Sequence, residues 1–311
     1  MSGPSPFATL WAMYALATGT LSVGLDSAGY EVLSRITLLL ACGAWLVSVA
    51  DVLRRTTWRT ETPAAVTTLA ATAVLGTGFS AAGRQALAEA LLAVSALLWA
   101  TLLVVEDKER GGPAFLRCVV TQGLAVLAAT LAAAVSAAWL AQAALVVFWL
   151  GLLLCGLALP RSDPRQVARG AGDHWLACGA LAVSALAGAK LLSADSARLY
   201  LWNDENRSVL RTTAVTLLVL TLTCCVALLV AELVWPRHRY DVRRWATVFG
   251  AAASATATLA VAAALDVPWL DGLGEALLWI AVAAWLGCAA WTVASARAGE
   301  EPGGVRSRAR R

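Results

Sequence analysis

Charged residues are scarce in this chain of 311 residues: they make up 14% of it, whereas 59% of the residues are hydrophobic. A water-soluble domain carries roughly 25% charged residues. The shortage leaves too little polar surface to cover a water-exposed globule, and the apolar content excludes a disordered chain. We therefore predict an all-α integral membrane protein, which is the remaining common class for such a composition.

Residues that build metal, redox or hydrolytic sites are also few. No Cys-x-x-Cys pair occurs among the seven cysteines, which lie in or beside apolar runs, so we interpret them as small buried hydrophobic residues. The two histidines, His174 and His238, lie on different segments, which disfavours a haem pair. A Gly-x-Ser-x-Gly motif and a basic groove with interleaved aromatic residues are absent as well. We predict no metal, no cofactor, no nucleic-acid partner and no enzymatic activity.

Ten apolar segments are long enough to cross a membrane, which takes about 20 residues of helix. All nine prolines fall at or outside the ends of these segments, where a helix tolerates them. The segments are residues 7–25, 32–53, 63–82, 86–105, 114–135, 138–159, 174–192, 210–235, 245–265 and 272–295. We predict a single transmembrane domain over residues 1–295 and a basic, disordered cytoplasmic tail over residues 296–311.

Lysine and arginine are distributed unequally between the two sides of the predicted helices. With ten spans alternating in direction, 18 of the 24 basic residues fall on the side that also holds both termini. Basic loops tend to remain in the cytoplasm. We therefore expect a multi-pass protein of the plasma membrane with both termini in the cytoplasm and with membrane lipid as a partner.

The ten segments alternate in side-chain size. The odd-numbered segments are rich in Gly, Ala, Ser and Thr, as in Ala17-Thr18-Gly19-Thr20, and each carries a glycine near its middle or in its first half. The even-numbered segments carry bulky runs such as Leu97-Leu98-Trp99. Small residues let helices approach closely or leave open space between them, whereas bulky apolar residues suit a surface that faces lipid.

This alternation predicts ten transmembrane helices arranged as five helical hairpins around a central pore, with the odd helix of each hairpin inside. Close packing of small residues without a passage is the alternative that the pattern leaves open. The candidate pore-lining residues are Thr18, Gly19, Gly76, Gly123, Gly179 and Gly250. The tryptophans expected to point outward are Trp45, Trp99, Trp149 and Trp279.

Three segments resemble motifs of the tellurite-resistance/C4-dicarboxylate transporter family, which includes plant slow anion channels and fungal malate and sulfite carriers. The first, Ala15–Val23, is similar to the opening motif of that family. The second runs from Asp173 to Ala182 and the third from Trp245 to Gly250, similar to parts of its seventh and ninth helices. The resemblance implies five hairpins, a central pore for anions, a phenylalanine that plugs the pore and a homo-oligomer, often a trimer.

Phe249 matches the plug position of that family. Many transporter members read Phe-Pro-Leu-Gly there, whereas this chain reads Phe249-Gly250 directly, so any kink near the ring has to come from glycine. The ring is either a steric gate or a group packed between helices. Because Phe249 lies only about five residues into its span, a gate there would be closer to the inner mouth than to the centre of the membrane.

The resulting hypothesis is membrane transport of small anions: a C4-dicarboxylate, a tellurite-like oxyanion, sulfite or a halide. No Asp, Glu, Lys or Arg occupies the middle of an odd segment, which favours passive passage over proton coupling. Lys190 lies near a span end, where we interpret it as reaching towards the surface. The alternative is a non-transporting membrane assembly or partner-binding protein on the same fold.

Overall fold

The computed structural model describes residues 6–54, 63–104, 112–161, 173–195, 201–234 and 244–297, and these residues form ten long helices. The helices are α1 (Pro6–Ser27), α2 (Glu31–Arg54), α3 (Pro63–Ala81), α4 (Gln85–Val104), α5 (Gly112–Val135), α6 (Ala138–Ala158), α7 (Asp173–Ala194), α8 (Asp204–Val234), α9 (Arg244–Leu265) and α10 (Pro268–Arg297). The prediction of an all-α protein is confirmed for these residues. The predicted tail, residues 296–311, lies almost wholly outside them.

Membrane-crossing length and composition are met by nine of the described helices, α2 to α10. The remaining helix, α1, has 22 residues and so has the length of a span at about 1.5 Å per residue. Its threonines, serines and Asp26 lower its hydropathy, yet most of its residues are buried. We therefore place α1 with the other odd-numbered helices, inside the molecule.

Burial separates the odd-numbered helices from the even-numbered ones. In the most apolar stretch of α3, α5, α7 and α9, 78% to 83% of the residues are buried inside the protein. The corresponding share is 11% to 33% for α2, α4, α6, α8 and α10. The predicted inside and outside positions therefore agree with the observed burial of the helices.

Contacts between the odd-numbered helices follow a closed order. Helix α1 contacts α3, α3 contacts α5, α5 contacts α7, α7 contacts α9, and α9 contacts α1 again. Each even-numbered helix packs against the odd helix before it and the odd helix after it, with α10 reaching α1. We call α1, α3, α5, α7 and α9 the inner ring. Its N-terminal side is where these helices begin, and its C-terminal side is where they end.

Four of the five odd-to-even connections are the same tight turn. In each, a residue just after the odd helix has a positive φ: Gly29 (83°), Gly83 (76°), Ser136 (54°) and Asp266 (55°). The next amide donates to a carbonyl five residues earlier, as from Tyr30 N to Leu25 O at 2.9 Å. This bond is that of a Schellman cap, which satisfies the last carbonyls of a helix. The shared turn explains why these pairs are antiparallel.

Tryptophan side chains fasten three outer helices to the inner ring. Trp45 of α2 donates from Nε1 to Thr72 Oγ1 of α3 at 2.9 Å, and Trp99 of α4 donates to Thr121 Oγ1 of α5 at 2.9 Å. Trp285 of α10 donates to Thr18 Oγ1 of α1 at 2.9 Å. The expectation that Trp45 and Trp99 point outward is wrong, because an indole N–H gains a hydrogen bond by turning inward that lipid cannot offer. Trp149 and Trp279 are exposed as expected.

Candidate functional site

A small cavity lies inside the inner ring. Its volume is about 20 Å³, counted as the space open to the centre of a water molecule, which is room for roughly one water. All five inner helices contribute to its wall. The lining residues are Thr20 and Val23 of α1, Val74 and Thr77 of α3, Gly123 and Val126 of α5, Val183 and Leu186 of α7, and Thr256 of α9. We call this space the axial cavity.

Threonine hydroxyls in the wall of the axial cavity donate hydrogen bonds within their own helices. Thr20 donates to Leu16 O at 2.8 Å, Thr77 to Ala73 O at 3.1 Å, and Thr256 to Ala252 O at 2.8 Å. Each acceptor is the carbonyl four residues earlier in the same helix, so the hydroxyl proton points along the helix. The other lining residues are aliphatic or glycine. The wall is therefore apolar and suits a hydrophobic constriction better than a tight polar binding site.

Phe249 is fully buried near the start of α9. Its ring lies against Gly179 of α7, so closely that a Cβ at position 179 would collide with the ring. Phe249 is seven residues before Thr256, and Gly179 is seven residues before Leu186; a spacing of seven returns to the same helix face. Both residues therefore lie on the faces that line the axial cavity, about two helical turns nearer the N-terminal side.

The predicted lining residues occupy different places in the structure. Gly123 lines the axial cavity, and Gly179 is covered by Phe249. Two others lie at contacts within the inner ring: a Cβ on Gly76 would meet Leu127, and one on Gly250 would meet the Trp175 ring and backbone oxygen at 2.8 Å.

The remaining two predicted residues, Gly19 and Thr18, are on α1. A Cβ on Gly19 would lie 3.1 Å from Val74, next to α3. Thr18 faces α10, where it accepts the bond from Trp285. A lining role for the six residues as a set stays a prediction.

Aliphatic residues of the cavity wall are missing from the predicted set, because that set was chosen by small side-chain size. Four inner helices place two lining residues three positions apart: Thr20 and Val23, Val74 and Thr77, Gly123 and Val126, and Val183 and Leu186. Residues three apart share a helix face. A search for one pair with this spacing in each odd segment could have indicated the wall.

Metal-binding residues do not form a site in the part of the chain that the structure describes: no group of three His, Cys, Asp or Glu side chains there is placed to hold a metal ion. His174 lies in the first turn of α7, and His238 falls outside the described residues. The seven cysteines are free thiols. The expected absence of a metal and a cofactor stays a prediction.

Comparison with known families gives one match. Residues 164–293, which include α7, α8, α9 and most of α10, match the model of the SLAC1 family, described as a voltage-dependent anion channel. No curated protein shows a significant match to the chain. The matched range contains two of the three motifs noted in the sequence, Asp173–Ala182 and Trp245–Gly250. With its apolar helices, the chain is a multi-pass membrane protein, and over residues 164–293 its family resemblance is confirmed as similarity to the voltage-dependent anion channels of the SLAC1 family.

Proposed function

We propose that the protein transports small anions along the axis of the inner ring, within one transmembrane domain spanning residues 1–295. The axial cavity carries this proposal, because five separate helices contribute to its wall. The similarity of residues 164–293 to voltage-dependent anion channels supports the same substrate class. Five hairpins around a central pore are the arrangement that these observations favour.

Phe249 acts as the gate in this proposal. Its ring is fully buried, on the same faces of α7 and α9 that line the axial cavity. Gly179 provides the space that the ring fills. A Gly179→Ala substitution therefore displaces the ring, and we expect it to alter flux or stability strongly in the wild-type background. In a Phe249→Ala background the added methyl group no longer collides with a ring, so Gly179→Ala should have little effect.

Small anions suit this passage better than long ones. Val74, Val126, Val183 and Leu186 narrow the axial cavity, and its hydroxyl protons are not turned towards the lumen. An apolar constriction favours ions that lose their water shell easily. A halide meets this condition best, and sulfite or a tellurite-like oxyanion, being smaller, fits with less rearrangement than a four-carbon dicarboxylate.

The experiment that tests this function is an anion-replacement current. Purified protein is placed in planar bilayers, and chloride on one side is replaced by nitrate, sulfite, malate or gluconate. We expect reversal potentials that follow the anion gradient, with malate and gluconate carrying the least current. Currents that follow the cation gradient would overturn the proposal, and bilayers that receive detergent without protein serve as the control.

A non-transporting assembly protein on the same fold is the second candidate. The small volume of the axial cavity favours it, because about 20 Å³ leaves no room for a continuous passage at that level. It predicts no anion current from the wild-type protein or from a Phe249→Ala variant that folds normally. Anion current from either protein excludes it.

Assembly and orientation extend the proposal. Bulky residues exposed on the outer helices, such as Leu39, Leu97 and Leu233, can face lipid or a second copy of the chain. We propose a homo-oligomer in the plasma membrane, a trimer by resemblance, with both termini and the tail in the cytoplasm. Cross-linking in membranes tests the oligomer, and labels at residues 2, 196 and 309 test the orientation.

A further inference from the structure

Lys190 lies on the same face of α7 as the wall of the axial cavity. It follows Leu186 by four residues and Val183 by seven, and both spacings return to one face of a helix. The rise of a helix places Lys190 about 6 Å beyond Leu186, towards the C-terminal side of the ring. An ammonium group therefore stands one helical turn beyond the aliphatic wall.

Among the described residues, the ammonium group of Lys190 has no direct partner. Lys190 is partly buried, and among the residues that the structure describes it makes no hydrogen bond and no ion pair within 4.0 Å. A lysine that serves only to anchor a helix end extends freely to the surface. Partial burial without a bonded partner leaves positive charge that an anion can use.

Asp26 supplies a counter-charge from the far side of the ring. It follows Val23 of the cavity wall by three residues, and its carboxylate and the Lys190 ammonium act on each other electrostatically. Helix α1 contacts α3 and α9 in the ring, whereas α7 contacts α5 and α9, so the two charges belong to helices that are not neighbours in the ring order. Their fields therefore overlap at the C-terminal mouth of the inner ring.

Other charged side chains described at this mouth are paired or exposed. Glu31 and Arg35 also act on Asp26, but they pair with each other at 3.1 Å and their side chains are 70% exposed. Arg207 pairs with Asp195 at 3.2 Å. Among the described residues of the inner helices, one basic residue lies on the C-terminal side, and it is Lys190.

We propose that Lys190 is the residue that attracts anions to the C-terminal mouth of the passage, and that Asp26 limits this attraction by offsetting its charge. The inference rests on the proposed transport function. An anion arriving from this side meets the ammonium group before it reaches the aliphatic wall, which offers no hydrogen-bond donor. A fixed charge at a mouth raises the local concentration of the opposite ion.

The first test compares Lys190→Met with Arg35→Met. Both variants remove one positive charge from the same end of the molecule, but Arg35 is on the exposed start of α2. In planar bilayers at low ionic strength, we expect Lys190→Met to lower chloride current entering from the C-terminal side about tenfold. The loss should shrink as ionic strength rises, because salt screens the charge. Lys190→Arg should keep the current, and Arg35→Met should change it little.

Asp26→Asn gives the sharper result. If Asp26 offsets Lys190, removing the carboxylate raises chloride current from this side, opposite in sign to Lys190→Met. If the two residues serve only to hold α1 and α7 in place, both variants lower the current, and the effect does not depend on ionic strength. Equal effects of Lys190→Met and Arg35→Met would also overturn the proposal.

A binding measurement separates this site from the transport function. Chloride that binds the folded protein raises its Tm relative to gluconate at equal ionic strength. We expect this rise in the wild type and in Arg35→Met, and we expect Lys190→Met to lose it. If the wild-type protein passes no anion but shows this pattern of Tm changes, the result supports anion binding at Lys190 and rejects the proposed transport function. If chloride still raises the Tm of Lys190→Met, the proposed anion site at Lys190 is wrong.

Discussion

The inner and outer helices have similar hydropathy and opposite surroundings. The most apolar stretches of α3, α5, α7 and α9 have mean hydropathy 1.4 to 2.0, and those of the outer helices have 1.9 to 2.7. Burial nevertheless differs severalfold between the two sets. In lipid, apolar character cannot decide which helix goes inside, because the surroundings are as apolar as the side chains. Side-chain size decides: glycine, alanine and threonine pack against other helices, and leucine and tryptophan cover the outside.

Glycine-to-alanine substitutions give the largest expected contrast between the two sets. At inner Gly250 a Cβ would meet the Trp175 ring and backbone oxygen at 2.8 Å, and the backbone cannot move aside cheaply. We expect Gly250→Ala to lower the free energy of unfolding by about 1–3 kcal/mol. At outer Gly43 a Cβ meets nothing within 4 Å, so Gly43→Ala should be neutral or stabilising. Thermal unfolding in detergent measures both, and equal losses would break the comparison.

Removal of an indole hydrogen bond is expected to have the second largest effect on the free energy of unfolding. Trp285→Phe removes the bond to Thr18 between α10 and α1, and we expect a loss of about 0.5–1.5 kcal/mol. Trp149→Phe is the matched control, since this indole is 43% exposed on α6. A double-mutant cycle with Thr18→Val isolates the bond. A coupling energy near zero between positions 18 and 285 would show that the bond does not fasten the outer helix.

Substitutions in the turns that join the inner helices to the outer ones are expected to have the smallest effect on the free energy of unfolding. Ser136 and Asp266 adopt positive φ where the equivalent turns have Gly29 and Gly83. Glycine accepts this conformation without the steric cost that a Cβ brings. We expect Ser136→Gly to raise the free energy of unfolding by up to about 1 kcal/mol, measured by thermal unfolding in detergent.

The control for this turn is Ala138→Gly, two residues later and inside the first turn of α6. Glycine has a lower helix propensity than alanine, so this substitution should lower stability. A loss of stability in both variants would show that the positive φ at Ser136 carries no steric cost that glycine can relieve.

The sequence predicted which helices are inside but not how each one is rotated. Alternating side-chain size marked the odd segments, and that pattern follows directly from the residues. Thr18 and Thr20 differ by two positions, which is a rotation of about 200° on a helix. Only the packed structure shows that Thr20 lines the axial cavity while Thr18 faces α10.

Lys190 and Gly179 illustrate the same limit at the candidate site. The sequence indicates a surface anchor at Lys190, because its distance from the helix end is visible there. Its alignment with Val183 and Leu186 matters only once those residues are known to line the cavity. The contact between Gly179 and Phe249 joins residues far apart in sequence, and no local pattern predicts such a contact.

The central claim is that anions pass along the axis of the inner ring and that the Phe249 ring closes it. The most direct test is chloride efflux from liposomes containing Phe249→Ala, compared with wild type and with Phe148→Ala. Phe148 is equally buried and also lies close to a glycine of α7, Gly188, but it belongs to the outer helix α6. Truncating either ring costs roughly 3–5 kcal/mol in a well-packed core. We predict that Phe249→Ala raises efflux and Phe148→Ala does not; unchanged efflux in a normally folded Phe249→Ala protein, or an equal rise in both variants, would contradict the claim.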